Sequence, residues 1–251
     1  MSSTRRTAVV AGVLFLVTEV AAIGGLALYR PVLEGADYVA GAGADTQVLL
    51  GALFEIVLAT AVIGTGVTLF PVIRRQSEGA ALGHVCGRLL EAAVIVVGIV
   101  SVLSVVTLRR DFTGGVEGAG GAPDPDASSF VAAGRALVAI HDWTFLLGPN
   151  VALGANTLLL AWLMYRSRLV PRFIAVLGLV GGPLICLSAT AVMFGLYEQV
   201  SVPGSIAAVP VFAWEATLAI RLIAKGFDPS PTASETGPHA SSARRDPRVA
   251  V

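Results

Sequence analysis

The stretch Ala80–Leu108 constrains this chain most, because it is a long apolar run that also carries ionisable side chains. A membrane-spanning helix needs about 20 mostly apolar residues, and this run is longer. His84, Arg88 and Glu91 follow one another within it at intervals of four and three residues, which places them on one side of a helix. Charges at membrane depth cost about 2.5–3.5 kcal/mol each on insertion scales. This side is therefore predicted to face other parts of the protein.

The composition agrees with a membrane protein. Of the 251 residues, 55% are hydrophobic and 14% are charged, and the mean hydropathy is +0.79. Soluble domains carry about 25% charged residues, so the charge here is too sparse to cover a water-facing surface. The formal net charge is zero, which gives no indication of a nucleic-acid partner.

Six apolar segments are long enough to cross a bilayer, where unpaired backbone groups exclude anything but helices or closed barrels. The predicted fold class is an all-α integral membrane protein, a six-transmembrane-helix bundle over residues 1–227. The tail 228–251 is polar and proline-rich, and we expect it to be disordered and cytoplasmic. The predicted spans are Thr7–Tyr29, Val48–Ile73, Ala80–Leu108, one within Phe130–Tyr165, Leu169–Leu196 and Gly204–Ile223.

The basic residues predict the orientation. One side of the predicted bundle holds eight of them near the spans and the other side holds three, Arg30, Arg109 and Arg110. The positive-inside rule then places both termini in the cytoplasm of a multi-pass protein of the cell membrane. The eight are Arg5, Arg6, Arg74, Arg75, Arg166, Arg168, Arg172 and Lys225.

Several local features carry expectations of their own. The fourth segment is too long for one straight crossing, so we expect a surface helix over Ser128–Ile140, a turn near His141-Asp142 and a membrane helix from Trp143, kinked at Pro149. The connection Arg109–Ser129 lacks apolar periodicity and is predicted to be a mobile loop. Three side chains are assigned to helix or membrane boundaries: Asp45 or Thr46 as N-cap of the second span, and Tyr29 at the outer interface.

Ionisable side chains at membrane depth form the candidate ligand-binding set, while catalytic residues stay unassigned. No metal-ligand spacing and no cofactor motif such as a glycine-rich phosphate loop accompanies them. The candidates are His84, Arg88, Glu91, Glu19, Glu55, Glu215, Arg135, His141 and Asp142.

Two interpretations apply to each part of this set. Arg88 and Glu91 are three residues apart and can pair on one helix, either as a structural ion pair or as a fixed cation for an anionic headgroup or substrate. Glu19, Glu55 and Glu215 have Arg88 and Arg135 as nearest partners by depth. An unpartnered carboxyl at this depth holds a proton, as in a proton-coupled transporter or in an inert hydrogen-bonded acid.

His141 and Asp142 are a third case. A histidine beside a carboxylate can act as a general base at the outer leaflet, but no nucleophile motif is present. The alternative is a helix N-cap, with Asp142 capping Trp143 onward. The Gly178–Gly182 spacing favours close helix approach, within the monomer or in a homo-oligomer.

Short motifs follow one another in a fixed order along the chain: Arg6–Gly12, Tyr38–Asp45, Pro71–Arg75, Arg88–Ala92, His141-Asp142 before Leu146–Pro149, Ser167–Arg172, and Glu215 with Lys225–Phe227. With these, the region from Arg6 to Phe227 resembles the bacterial membrane proteins grouped as domain of unknown function 4386. The resemblance implies a multi-span protein of the bacterial inner membrane. It implies no activity and no catalytic residue.

The sequence thus supports three functions. The first is binding or transport of a small or lipid-like ligand in a polar intramembrane cavity, with membrane lipids as the other partners. The second is an intramembrane enzyme that modifies a lipid, and the third is a purely structural or assembly role. Membrane-depth carboxyls in excess of their partners favour the first over an enzyme.

Overall fold

The computed structural model describes residues 3–35, 38–41, 43–118 and 127–228 of the chain. Over these ranges it is helical, with no strand. A π-helical segment, Leu147–Ala152, joins α4 to α5. The helices are α1 (Ser3–Leu33), α2 (Asp45–Ile73), α3 (Glu78–Gly118), α4 (Ala127–Leu146), α5 (Leu153–Ser167), α6 (Arg172–Met193) and α7 (Val202–Ala224).

The six-span fold class is confirmed. Six helical runs in the described ranges are long and apolar enough to cross a membrane, with α4, the π-helical segment and α5 counted as the single run Ala127–Ser167. Their outward faces carry exposed apolar side chains that water would not favour, among them Val97, Phe173, Leu187 and Ile220. These faces suit hydrocarbon as the surrounding solvent. The predicted disordered tail lies outside the described residues from residue 229 onward.

The end of α3 corrects the prediction of a mobile loop from Arg109. The helix continues through Arg109 and Arg110 to Gly118, and residues 119–126 lie outside the described ranges. The side chain of Arg109 donates to Asp45 Oδ1 at 2.8 Å and to the carbonyl of Gly41 at 3.2 Å. These contacts hold the extra turns of α3 against the connection between α1 and α2.

The fourth span corrects the prediction of a surface helix that turns at His141-Asp142. The chain is helical from Ala127 without a turn at that point, because α4 packs lengthwise on α3, where Ser101 Oγ donates to the carbonyl of Leu137. Asp142 therefore lies inside a helix and caps nothing. The irregularity falls around Pro149, where the sequence predicted a kink, and the missing N–H of this proline is accommodated in the π-helical segment.

The bundle closes on itself. Consecutive spans pack against each other, and α7 returns to α1. A Cβ on Gly12 would lie 2.7 Å from the carbonyl oxygen of Ala219, and Arg5 donates to the carbonyls of Leu222 and Ile223 at 2.7 and 2.5 Å. The start of α1 and the end of α7 thus share one side of the bundle, here called the terminal side; the opposite one is the far side.

Two apolar cores fill the interior. One lies toward the terminal side and includes Phe15, Trp214 and Leu218. The other lies toward the far side and includes Val48 and Val102. The buried charged side chains of α3 and α7 lie between these two cores, so the fold places its polar groups at mid-depth.

Asp45 connects α2 to α3 and to the connection between α1 and α2 on the far side, and it does not cap α2. The N-cap of α2 is Ala44, with no side-chain hydrogen bond, so the predicted cap at Asp45 or Thr46 is wrong. The Asp45 carboxylate accepts from Tyr38 Oη at 2.9 Å, from Arg109 at 2.8 Å and from Arg110 at 3.2 Å. Burial, with the hydrogen bond to Asp45, raises the pKa of Tyr38. Asp45 thereby partly neutralises Arg109 and Arg110, the two arginines on the side that the positive-inside rule assigns to the outside.

Asp45→Asn is expected to lower the free energy of unfolding by about 1.5–3 kcal/mol, the range for hydrogen bonds that involve a charged group. The matched control is Glu34→Gln, because Glu34 pairs with Arg30 while both side chains are more than 60% exposed. That change should cost under about 0.5 kcal/mol. Denaturant titration in detergent micelles measures both, and equal losses would contradict the assigned role of Asp45.

Candidate functional site

Arg88 lies at the centre of the buried charges. It is the tenth residue after the start of α3, or about 15 Å along the helix axis at the usual rise, which is half the thickness of a bilayer core. Its side chain is 2% exposed. One guanidinium nitrogen lies 3.2 Å from Glu91 Oε2, and the other terminal nitrogen lies 3.0 Å from Glu215 Oε1 on α7. The pairing of Arg88 with Glu91 that the sequence predicted is present.

Glu19 on α1 completes this group, which we call the Arg88 cluster (Glu19, Arg88, Glu91 and Glu215). Its side chain borders the same internal space as those of Arg88, Glu91 and Glu215. The ring of Phe15 lies under the guanidinium, with its centroid 5.5 Å from Arg88 Cζ. Sequence reasoning missed Phe15, although its position four residues before Glu19 puts both on one face of α1.

His84 faces a different neighbour. Its Nδ1 lies 2.7 Å from the side-chain amide of Asn156 on α5. With that amide oriented to satisfy both neighbours, its nitrogen donates to His84 and its oxygen accepts from Arg88 Nε at 3.2 Å. Asn156 therefore links His84 to Arg88 and connects α5 to the Arg88 cluster, whose members lie on α1, α3 and α7. Asn156 is not among the candidate ligand-binding residues that the sequence indicated.

Glu55 belongs to a second polar group nearer the far side. A Cβ on Gly25 of α1 would lie 2.9 Å from Glu55 Oε1, and both Tyr29 and His141 are close enough to interact with Glu55 electrostatically. The rings of Tyr29 and His141 meet edge to face at 5.5 Å, and Phe145 stacks on the other side of His141. Tyr29 is fully buried, so its predicted place at the outer interface is wrong.

Arg135 lies apart from both groups, and Asp142 lies at the exposed edge of the second one. Arg135 is exposed and lines a cleft on the far side with Glu34 and Asp142. The prediction that it is a partner of the buried carboxyls is therefore wrong. The side chain of Asp142 is 63% exposed, and its Oδ1 lies 3.5 Å from Nδ1 of the buried His141. The His141 side chain is thus buried while the Asp142 side chain beside it is exposed.

A cavity of about 240 Å³ adjoins the Arg88 cluster. All four members of the cluster line it, and most of the other lining side chains are apolar, such as Leu58, Val62 and Leu153. Pro149 and Asn150 of the π-helical segment also contribute to the wall. Breaks of this kind in membrane helices are tolerated where they line a cavity, and here the break falls at the cavity itself.

A larger vestibule of about 950 Å³ opens on the far side, bounded by α1, α4 and the connection between α6 and α7. His141, Asp142 and Glu198 supply part of its polar wall. Three residues line both spaces: Ile23, Leu26 and Phe145. The vestibule and the cavity therefore meet at an apolar constriction.

Comparison with known proteins identifies a family but no solved relative. No curated protein and no solved structure matches the chain. Within the described ranges, no group of three or more His, Cys, Asp or Glu side chains is placed to hold a metal ion. A family model matches residues 10–226, nearly the whole region from Arg6 to Phe227 that resembled this family by its motifs. This chain belongs to the family described as Domain of unknown function (DUF4386).

Proposed function

We propose that this protein binds a small or lipid-like ligand in the cavity beside the Arg88 cluster and transports it across the membrane. The observation that carries the proposal is the cavity of about 240 Å³ at mid-depth, with four ionisable side chains in its wall. A purely structural role needs no space larger than a few waters. A water occupies about 30 Å³ of liquid volume, so this space is several times larger.

The walls of the cavity support access from the membrane. Ile23 on α1 and Phe212 on α7 line the cavity and are 59% and 48% exposed. The edge of the cavity therefore reaches the outward face of the bundle between α1 and α7. A lipid-like molecule in the leaflet on the far side would meet this edge or the vestibule.

The orientation follows from charge. Arg5 contacts the end of α7, and Arg74, Arg75 and Arg166 lie at helix ends on the same terminal side. By the positive-inside rule, we assign the terminal side to the cytoplasm of the bacterial plasma membrane. Glu19, Glu215 and Glu55 then form a series from mid-depth toward the vestibule, in which protons could accompany transport.

Ala22→Trp tests the binding site, because Ala22 lines the cavity and an indole ring there would fill it. Native mass spectrometry of protein purified in mild detergent is expected to show a co-purifying small molecule or lipid on the wild type and not on Ala22→Trp. Ala93→Trp is the matched control, since Ala93 lies exposed on the outward face of α3. It should retain the added mass.

An enzyme that modifies a lipid is the second candidate, favoured by the vestibule that both His141 and Asp142 line. Its substrate would lie beside His141 and not beside Ala22. Retention of the bound mass by Ala22→Trp would therefore count against the cavity and favour the vestibule. Absence of any bound mass on the wild type would contradict both functions.

A further inference from the structure

We infer that the ligand of the cavity is an amphipathic organic cation, a protonated amine on an apolar body, which exchanges for a proton held by Glu19 or Glu215. The inference deepens the proposed function and rests on it. The sequence offered Arg88 as a binding site for an anionic ligand. The contacts of Arg88 in the structure favour a cationic ligand instead.

The guanidinium of Arg88 is already shared among three buried acceptor side chains. Its terminal nitrogens contact Glu91 and Glu215 at 3.2 and 3.0 Å, and its Nε donates to Asn156 at 3.2 Å. The ring of Phe15 covers the guanidinium at 5.5 Å. An incoming carboxylate or phosphate would have to share this cation with two buried carboxylates and would add a further negative charge beside them.

The charges around the cavity favour a cation. Three carboxyl groups, those of Glu19, Glu91 and Glu215, face a single guanidinium. The cavity residues contributed by α2, α5 and α6 are not titratable, namely Leu58, Val62, Leu153 and Ile185. His84 contacts Asn156 and Glu55 lies against Gly25. Neither lines the cavity, so neither changes the balance of charge in its wall.

The carboxyl groups of Glu19 and Glu215, which both line the cavity, are the place for the exchange. Three carboxyl groups beside one guanidinium leave an excess of negative charge that is costly at membrane depth, so we expect one of these carboxyls to hold a proton when the cavity is empty. An ammonium group that bound there would donate hydrogen bonds to both carboxylates and release this proton to water. The charge of the site would be the same before and after, so a fixed transport stoichiometry of one cation for one proton follows.

The size and lining of the cavity define the rest of the ligand. An engineered apolar cavity of about 150 Å³ accommodates benzene, and the present cavity is about 240 Å³. A single ring on a short alkyl chain fits this volume. Leu26, Ile95 and Val211 would contact such a body while the amine lay at the carboxyl groups.

Isothermal titration calorimetry on the full chain in lipid nanodiscs tests this inference with three probes that share a phenyl ring on a short chain. These are 2-phenylethylammonium, neutral 2-phenylethanol and anionic 3-phenylpropanoate, each corrected with empty nanodiscs. The cation is expected to bind at least about tenfold more tightly than the other two. Titrations in buffers of different ionisation enthalpy should show release of close to one proton per cation bound, which needs no variant to observe.

Glu19→Gln is expected to weaken binding of 2-phenylethylammonium by at least about tenfold and to abolish proton release. Glu34→Gln is the matched control in the turn directly after α1, since Glu34 is exposed and pairs only with Arg30 among the described residues. It should leave both unchanged. A folded Glu19→Gln that binds like the wild type would overturn the inference.

The outcomes separate this inference from the proposed function. Tighter binding of the anion, or equal binding of the alcohol without proton release, would overturn the cation while leaving the cavity as a binding site. Failure of all three probes, with a co-purifying mass that Ala22→Trp still removes, would do the same. If all three probes fail and Ala22→Trp does not remove a co-purifying mass, the proposed function is overturned as well.

Discussion

Arg88→Ala is expected to lower the free energy of unfolding by about 3–5 kcal/mol, the cost of breaking a buried ion pair from one side. The substitution leaves Glu91 and Glu215, which are 3% and 6% exposed, without their shared cation. It also removes the guanidinium that packs on Phe15. Unfolding in mixed micelles with increasing sodium dodecyl sulfate measures the change.

The control for this substitution is Arg75→Ala. Arg75 is exposed in the turn after α2, so its loss should change the free energy of unfolding by less than about 0.5 kcal/mol. A comparable loss for both variants would mean that removing any arginine destabilises the protein in micelles. A negligible loss for Arg88→Ala would contradict the role of the ion pairs in the bundle.

A combined variant separates charge from packing. The triple variant Arg88→Met, Glu91→Gln, Glu215→Gln removes the guanidinium and both of its carboxylate partners, while the side chains keep a similar volume. Replacement of a whole buried ion group by uncharged residues is often neutral or stabilising, so this variant should recover most of the loss. If it is as unstable as Arg88→Ala, the stabilisation comes from the shape of the arginine side chain.

The fold was predictable where the bilayer alone determines it. Apolar length identifies each span, because hydrocarbon forces the backbone to satisfy its own hydrogen bonds. The errors fall at span ends and in the long fourth segment. The helicity of α3 beyond Arg109 depends on Asp45, which lies 64 residues away in sequence. The straight course of α4 depends on its packing along α3, which no local pattern contains.

The site was predictable in its centre and not in its partners. Spacing on one helix was enough to pair Arg88 with Glu91, since both lie on α3. Which of Arg135 and Glu215 belongs to the Arg88 cluster depends on how the helices are arranged. Depth in the membrane alone predicted Arg135, and this prediction was wrong. The cavity itself has no sequence signal, apart from Pro149, whose effect on the helix could be predicted but whose position against the cavity could not.

The close approach of α5 and α6 explains the glycine spacing at Gly178–Gly182. A Cβ on Gly182 would lie 2.7 Å from the carbonyl oxygen of Gly154 and 2.9 Å from the amide nitrogen of Leu158. Both atoms belong to the backbone of α5 and do not move aside as a side chain would. Gly178 likewise faces Ala161 and Trp214, so this face of α6 is occupied within the chain.

Gly182→Ala is therefore expected to lower the free energy of unfolding by about 1–3 kcal/mol, the usual cost of overpacking, because α5 and α6 must move apart. Gly83→Ala is the matched control, since a Cβ there would meet only Leu159 Cδ2, at an ordinary 3.4 Å. Alanine is favoured over glycine in helices by up to about 1 kcal/mol, so this control should be neutral or stabilising. The two variants should thus differ in sign in the same micelle titration. If Gly182→Ala keeps its stability but loses a dimer in size-exclusion chromatography, the glycine spacing serves an interface between copies of the chain instead.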